Sequence, residues 1–275
     1  MIRDITLGQY YAGESPVHRL DPRTKIIGTL TFIVALFLVK SFWGFVLCAA
    51  FLGIVVTVSK VPLSFILRGL KPILIILALT FAINIFMIDG TEIWRWKFLK
   101  ITVEGIRQAL FMGIRLILLI ISSSLLTLTT KPIALTDGLE KLMAPFAKIG
   151  APAHEIAMMM SIALRFIPTL LQETDKIMKA QQARGADFES GNIIRRAKAM
   201  IPIIVPLFVS AFHIAMDLAM AMEARCYRGG EGRTRLHPMK YRRSDAAAYV
   251  LLILFAVLVI VQSRGLLPIP MLWEV

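Results

Sequence analysis

Two short strings carry the most distinctive side-chain chemistry in this chain: Gln182-Ala183-Arg184-Gly185 and Glu223-Ala224-Arg225-Cys226. Each sets an arginine between alanine and another small residue. Each arginine follows an aspartate, Asp175 or Asp217, by about two helical turns. A helix C-terminus carries unpaired carbonyls and a partial negative charge, so an arginine there is locally favourable. The same guanidinium can also push a five-donor fork into an acidic or carbonyl-lined groove of a partner, with small neighbours allowing close backbone approach. The residues alone leave cap and docking tip both open.

Other chemistry finds little support. There is no Gly-x-x-x-x-Gly-Lys-Ser/Thr run to cradle phosphates. No Cys/His set has metal-ligand spacing, and His18, His154, His213 and His237 are isolated in sequence. Cys48 and Cys226 form no disulfide framework. The expectation is a non-catalytic chain that binds no cofactor or metal of its own.

The elements that must position the two arginines are membrane-associated helices. The chain has 275 residues, 57% hydrophobic, with a net charge of +13; soluble domains average roughly 45–50% apolar. The excess is concentrated in the runs Ile26–Val39, Phe42–Val58, Ile73–Ile88, Ile106–Leu128 and Ala246–Val261. These are at or near the length of a membrane-spanning helix. The polar first 25 residues lack the apolar core of a cleavable signal.

Three zones follow: 1–130 with four spans, 131–245 helical, amphipathic and basic, and 246–275 with a last span and tail. Seventeen of the 31 Lys and Arg lie in 131–245 and four in 1–25. Basic residues are retained on the cytoplasmic side, so the N-terminus and the middle zone are expected there. The loop 89–104, with Trp94 and Trp96, is expected outside. Arg115, inside the fourth apolar run, is expected to snorkel to the external interface rather than form a substrate site.

In the middle zone, Ser161, Arg165, Thr169, Gln172, Lys176 and Lys179 form one polar stripe on a helix running to about Arg184, with Ile162, Phe166, Leu170 and Ile177 elsewhere. Ala199–Met222 is long enough to span. Crossing by both segments would, however, place Arg184, Arg195, Arg196 and Lys198 outside, against the retention rule. Two long helices in or beneath the cytoplasmic leaflet are therefore expected, bent at Pro168, Pro202 and Pro206. The fold class is all-α membrane protein, with about five transmembrane helices plus long cytoplasmic amphipathic coupling helices. Ten of the 14 methionines lie in 131–245. Met158, Met159, Met216 and Met220 are candidates for a surface that accepts exchangeable partners, the alternative being ordinary core or lipid contact.

Several long strings resemble the transmembrane T component, EcfT, of energy-coupling factor (ECF) transporters. They are His18-Arg19-Leu20-Asp21-Pro22-Arg23-Thr24-Lys25, Ser161 to Pro168, Glu173 to Ala180, Met222 to Tyr227, and Gly229-Gly230-Glu231-Gly232-Arg233-Thr234. The likeness covers nearly the whole chain. It implies a multi-pass scaffold in the bacterial inner membrane with its N-terminus cytoplasmic. It further implies that Ala183-Arg184-Gly185 and Ala224-Arg225-Cys226 dock into two ATPase subunits (A and A′), which use the ATP. A separate S component would bind a vitamin. Cys226 stands where glycine is also common in the family. No nucleic-acid partner is expected. The rival readings are a dedicated cobalt or nickel subunit of the same family, a self-sufficient secondary transporter with inverted repeats, and a permease half of a conventional ABC importer.

Overall fold

The computed structural model describes residues 10–39, 41–96, 99–149, 152–188, 192–229 and 239–264. The side chains of residues 92–100, 147–149, 193 and 195–197 lie outside that description, and with them Trp94, Trp96, Arg195 and Arg196. His237 and the string from Gly230 to Thr234 also lie outside the described residues. The chain divides into two compact units, with the breaks at Leu142 and Pro238.

The larger unit holds α1 (Pro22–Leu38), α2 (Phe42–Ser59), α3 (Leu63–Leu70), α4 (Leu74–Met87), α5 (Val103–Thr129), most of α6 (Pro132–Met143) and α9 (Arg243–Ser263). The all-helical expectation holds, apart from one antiparallel hairpin, β1 (Glu92–Trp96) with β2 (Leu99–Thr102), in the segment read as a loop. A second difference is α3. The apolar run read from sequence starts at Ile73, just after Pro72, yet Pro72 sits in the first turn of a 3-10 segment, where a missing N–H costs no intrahelical bond. Leu63–Met87 is therefore one apolar column of 25 residues.

Helix starts follow local chemistry. The Asp21 carboxylate accepts the Arg23 N–H at 2.9 Å, with Pro22 leading α1. The Thr102 hydroxyl accepts the Gly105 N–H at 3.0 Å to open α5. At Gly105 a methyl group would lie 2.9 Å from the Ile85 carbonyl, so glycine lets α4 and α5 close together there. The core is built from Phe32, Leu36, Phe45, Leu52, Leu118 and Phe255. Phe51 and Phe255 stack at 4.2 Å.

Polar bonds fix helix direction. The Asp21 N–H donates to the fully buried Asp245 carboxylate at 2.8 Å, and Gln262 near the other end of α9 donates to Ser41 at 3.2 Å. So α1 and α9 run parallel. The Lys25 ammonium donates to the Thr129 carbonyl at 2.8 Å, and Arg115 donates to the Val39 carbonyl at 3.1 Å, so α5 runs antiparallel to both. Arg115 lies level with the end of α1, where it caps a helix carbonyl and faces the rings of Phe37 and Phe45. Thr129 and Arg243 consequently share one side of this unit, which leaves an even number of membrane crossings for the chain between them.

The N-terminal segment is tied to the same end. The Tyr11 N–H donates to the Leu128 carbonyl at 2.9 Å. His18 Nε2 donates to the Tyr11 carbonyl at 3.1 Å while Nδ1 accepts from Ser15 Oγ at 2.7 Å. Burial pushes the imidazole below its ordinary value, against the opposing pull of the Tyr11 carbonyl.

The smaller unit holds α7 (Ala153–Ala183) and α8 (Ile193–Ala224). Among the described residues, six helices are long and apolar enough to cross a membrane, and both α7 and α8 (from Lys198) are among them. The 17-residue α1 falls just short of that length.

Candidate functional site

Both arginine strings end their helices in the same way. At the end of α7 the Ala186 N–H donates to the Gln181 carbonyl at 3.0 Å and the Gly185 N–H to the Gln182 carbonyl at 2.9 Å. At the end of α8 the Tyr227 N–H donates to the Met222 carbonyl at 3.0 Å and the Cys226 N–H to the Glu223 carbonyl at 2.8 Å. This is the Schellman pattern at both sites, with the residue after the arginine in the left-handed region. Gly185 has φ +88° and Cys226 φ +54°. The near-repeat in sequence is thus a repeat of backbone geometry.

Backbone donors do the capping, so the arginine side chains are not needed for it. Arg184 and Arg225 are exposed, as are Ala183, Gly185, Ala224 and Cys226. Among the described residues neither guanidinium has a hydrogen bond or ion pair, with Asp175, Asp217 or any other group. Each tip presents a free five-donor fork beside small residues.

The two helices pair antiparallel. The Tyr227 hydroxyl, just past the end of α8, donates to the Met158 sulfur near the start of α7 at 3.0 Å. Gln181, near the end of α7, reaches the Pro202 carbonyl near the start of α8 at 3.5 Å. The tips therefore lie at opposite ends of the pair. Arg184 is 26 residues beyond Met158, which at about 1.5 Å per residue separates the tips by roughly 40 Å.

The faces of α7 follow the stripe. Arg165, Thr169, Gln172, Lys176 and Lys179 are exposed, whereas Ser161, Ile162, Phe166, Leu170 and Ile177 are half-buried. On α8 an uncovered apolar stripe runs through Ile201, Val205, Phe208, Phe212, Met216 and Met220, each more than half exposed. Met159 is also exposed, while Met158 is half-buried and engaged by Tyr227. The four candidate methionines lie toward the Arg225 end of the pair. Sequence reasoning missed Gln181 and Tyr227. The signal for the first was present: Pro206, inside α8, has no N–H to bond the Pro202 carbonyl four residues earlier.

A family model described as "CbiQ: Cobalt transport protein" matches residues 13–236. A protein of Ruminiclostridium cellulolyticum named "Energy-coupling factor transporter transmembrane protein EcfT" is 58% identical over 263 residues, covering 96% of this chain and 98% of its own length. Proteins of the same name from Clostridium kluyveri and Bacillus subtilis are 58% and 48% identical, covering 90% and 94% of this chain and 93% and 98% of their own lengths. The chain belongs to the EcfT family. As an EcfT-family chain it is a multi-pass membrane protein of transporters, in keeping with the six long apolar helices among the described residues. Within the EcfT frame, both arginine strings fall in the region that the family model matches.

Proposed function

We propose that this chain is the non-catalytic membrane scaffold of an ECF-type importer in the bacterial inner membrane. It couples ATP hydrolysis by two ATPase subunits, A and A′, to vitamin uptake through an S component. The observation that carries this reading is the pair of arginine tips, alike in their backbone caps, exposed, and unpaired among the described residues, at opposite ends of one helix pair. A separation on the order of 40 Å suits two partner subunits, each taking one tip. The names of the relatives supply the class of machine.

The same geometry bears on topology. Because α7 and α8 are antiparallel, crossing by both would put Arg184 and Arg225 on opposite faces of the membrane. Soluble ATPases on the inner face could then engage only Arg225. Zero crossings between Thr129 and Arg243 keeps both tips inside, along with the N-terminus and the basic middle zone.

The test is charge reversal. Arg184→Glu and Arg225→Glu each place an unpaired charge in a closed groove, a penalty of roughly 2–5 kcal/mol per contact. Recovery of ATPase with the membrane subunit is expected to fall sharply for either variant. Normal recovery with both would overturn the docking role.

A second reading, a dedicated cobalt or nickel subunit, is favoured by the description of the matching family model. It keeps the two tips and changes the cargo. Co-purification separates the two: several small membrane proteins mark a shared vitamin module, and a single metal-specific partner marks a dedicated one.

A further inference from the structure

Each tip is fastened to the opposite helix as well as to its own, and the fastening uses residues of the caps themselves. Gln181 is the residue whose carbonyl closes the Schellman turn at the end of α7. Its side-chain amide points away from that turn and donates to the Pro202 carbonyl on α8. That carbonyl is available for a definite reason. In a helix it would accept the N–H of residue 206, and residue 206 is proline. Ile203, next to Pro202, is buried on an otherwise mostly exposed helix. At the other end, Tyr227 supplies the N–H that closes the cap of α8 and the hydroxyl that meets Met158 on α7.

We propose that these two clasps make α7 and α8 a single lever, with Gln181 and Tyr227 as positioning residues that force the arginine tips to move together. A displacement of one tip is then delivered to the other helix at its opposite end, without passing through the rest of the chain. The functional consequence rests on the docking reading above; the mechanical claim does not. For an importer driven by two ATPases, the brace makes the two strokes one event.

The experiment uses the full transporter complex in lipid, with nitroxide labels at Lys179→Cys and Glu223→Cys in a Cys226→Gly background. Spin-echo spectroscopy reads the distance between the labels, and uptake per ATP hydrolysed is measured in parallel. Gln181→Ala and Tyr227→Phe are expected to broaden the distance distribution. Together they lower uptake per ATP by about fivefold, the lower end of ordinary coupling between sites, while ATPase recovery is unchanged. Pro206→Ala returns the N–H that competes for the Pro202 carbonyl, so it is expected to copy Gln181→Ala. The double variant Gln181→Ala/Pro206→Ala should be no worse than either single one.

An unchanged distribution and unchanged coupling in the Gln181→Ala/Tyr227→Phe pair would overturn the brace. Additive effects of Gln181→Ala and Pro206→Ala would overturn the role of the proline-freed carbonyl. Failure of the docking reading is visible separately, as normal ATPase recovery with Arg184→Glu, and leaves the distance measurement valid.

Discussion

Cys226 occupies a backbone position that L-residues avoid. At φ +54° its Cβ crowds the neighbouring carbonyl, which costs roughly 1–2 kcal/mol and is the reason glycine is common there. Gly185 fills the matching position of the other tip at φ +88° without that cost. Cys226→Gly is therefore expected to stabilise the α8 cap by about 0.5–1 kcal/mol, after allowing for the looser unfolded chain. Gly185→Ala is expected to weaken the α7 cap by about 1 kcal/mol. Hydrogen exchange at the Tyr227 and Ala186 amides, the donors that close the two turns, reads both changes. Slower exchange at Tyr227 and faster exchange at Ala186 are the expected signs. The same arithmetic explains why a cysteine is tolerated: two backbone bonds fix the turn, and the side chain is exposed.

At the scale of the helix, the uncovered stripe on α8 is the feature most in need of a partner. Six apolar side chains from Ile201 to Met220, each more than half exposed, extend over about 29 Å of helix. Lipid or protein must cover them. Met216 and Met220 end the stripe near the Arg225 tip, and their flexible thioethers suit a surface that accepts more than one partner. Met216→Asp and Met220→Asp place charges in that stripe. Recovery of S components is expected to fall while ATPase recovery, which the proposed docking assigns to the tips, stays normal. Unchanged S-component recovery would leave lipid as the occupant. The opposite character of α7, with Arg165, Lys176 and Lys179 exposed along its polar stripe, gives the pair one wet helix and one greasy one.

At the scale of the molecule, the decisive relation is parity. The buried Asp21–Asp245 contact and the Lys25–Thr129 bond hold the starts of α1 and α9 and the end of α5 at one side of their unit. The chain between Thr129 and Arg243 leaves and returns on that side, so it crosses twice or not at all. Asp187→Cys, in a Cys226→Gly background, distinguishes these. A membrane-impermeant maleimide added to intact cells is expected to leave the introduced thiol unlabelled and to label it after the membrane is opened. Labelling from outside would put the Arg184 tip beyond reach of any cytoplasmic ATPase.

The membrane character, the main apolar runs and the two arginine strings were legible from sequence because each is local. Apolar run length, helix periodicity and a three-residue motif need no distant partner. The polar stripe of α7 is a case in point: Arg165, Thr169, Gln172, Lys176 and Lys179 emerged on the exposed face, as their spacing required. Tertiary structure decided what depends on pairing across the chain. It showed that backbone donors complete both caps and leave Arg184 and Arg225 free among the described residues, a question residue type alone left open. It joined α3 to α4 through Pro72, turned Arg115 onto the carbonyl of Val39, and set α7 against α8 in opposite directions. Direction and partnership are properties of two segments at once, and no periodicity within one segment encodes them.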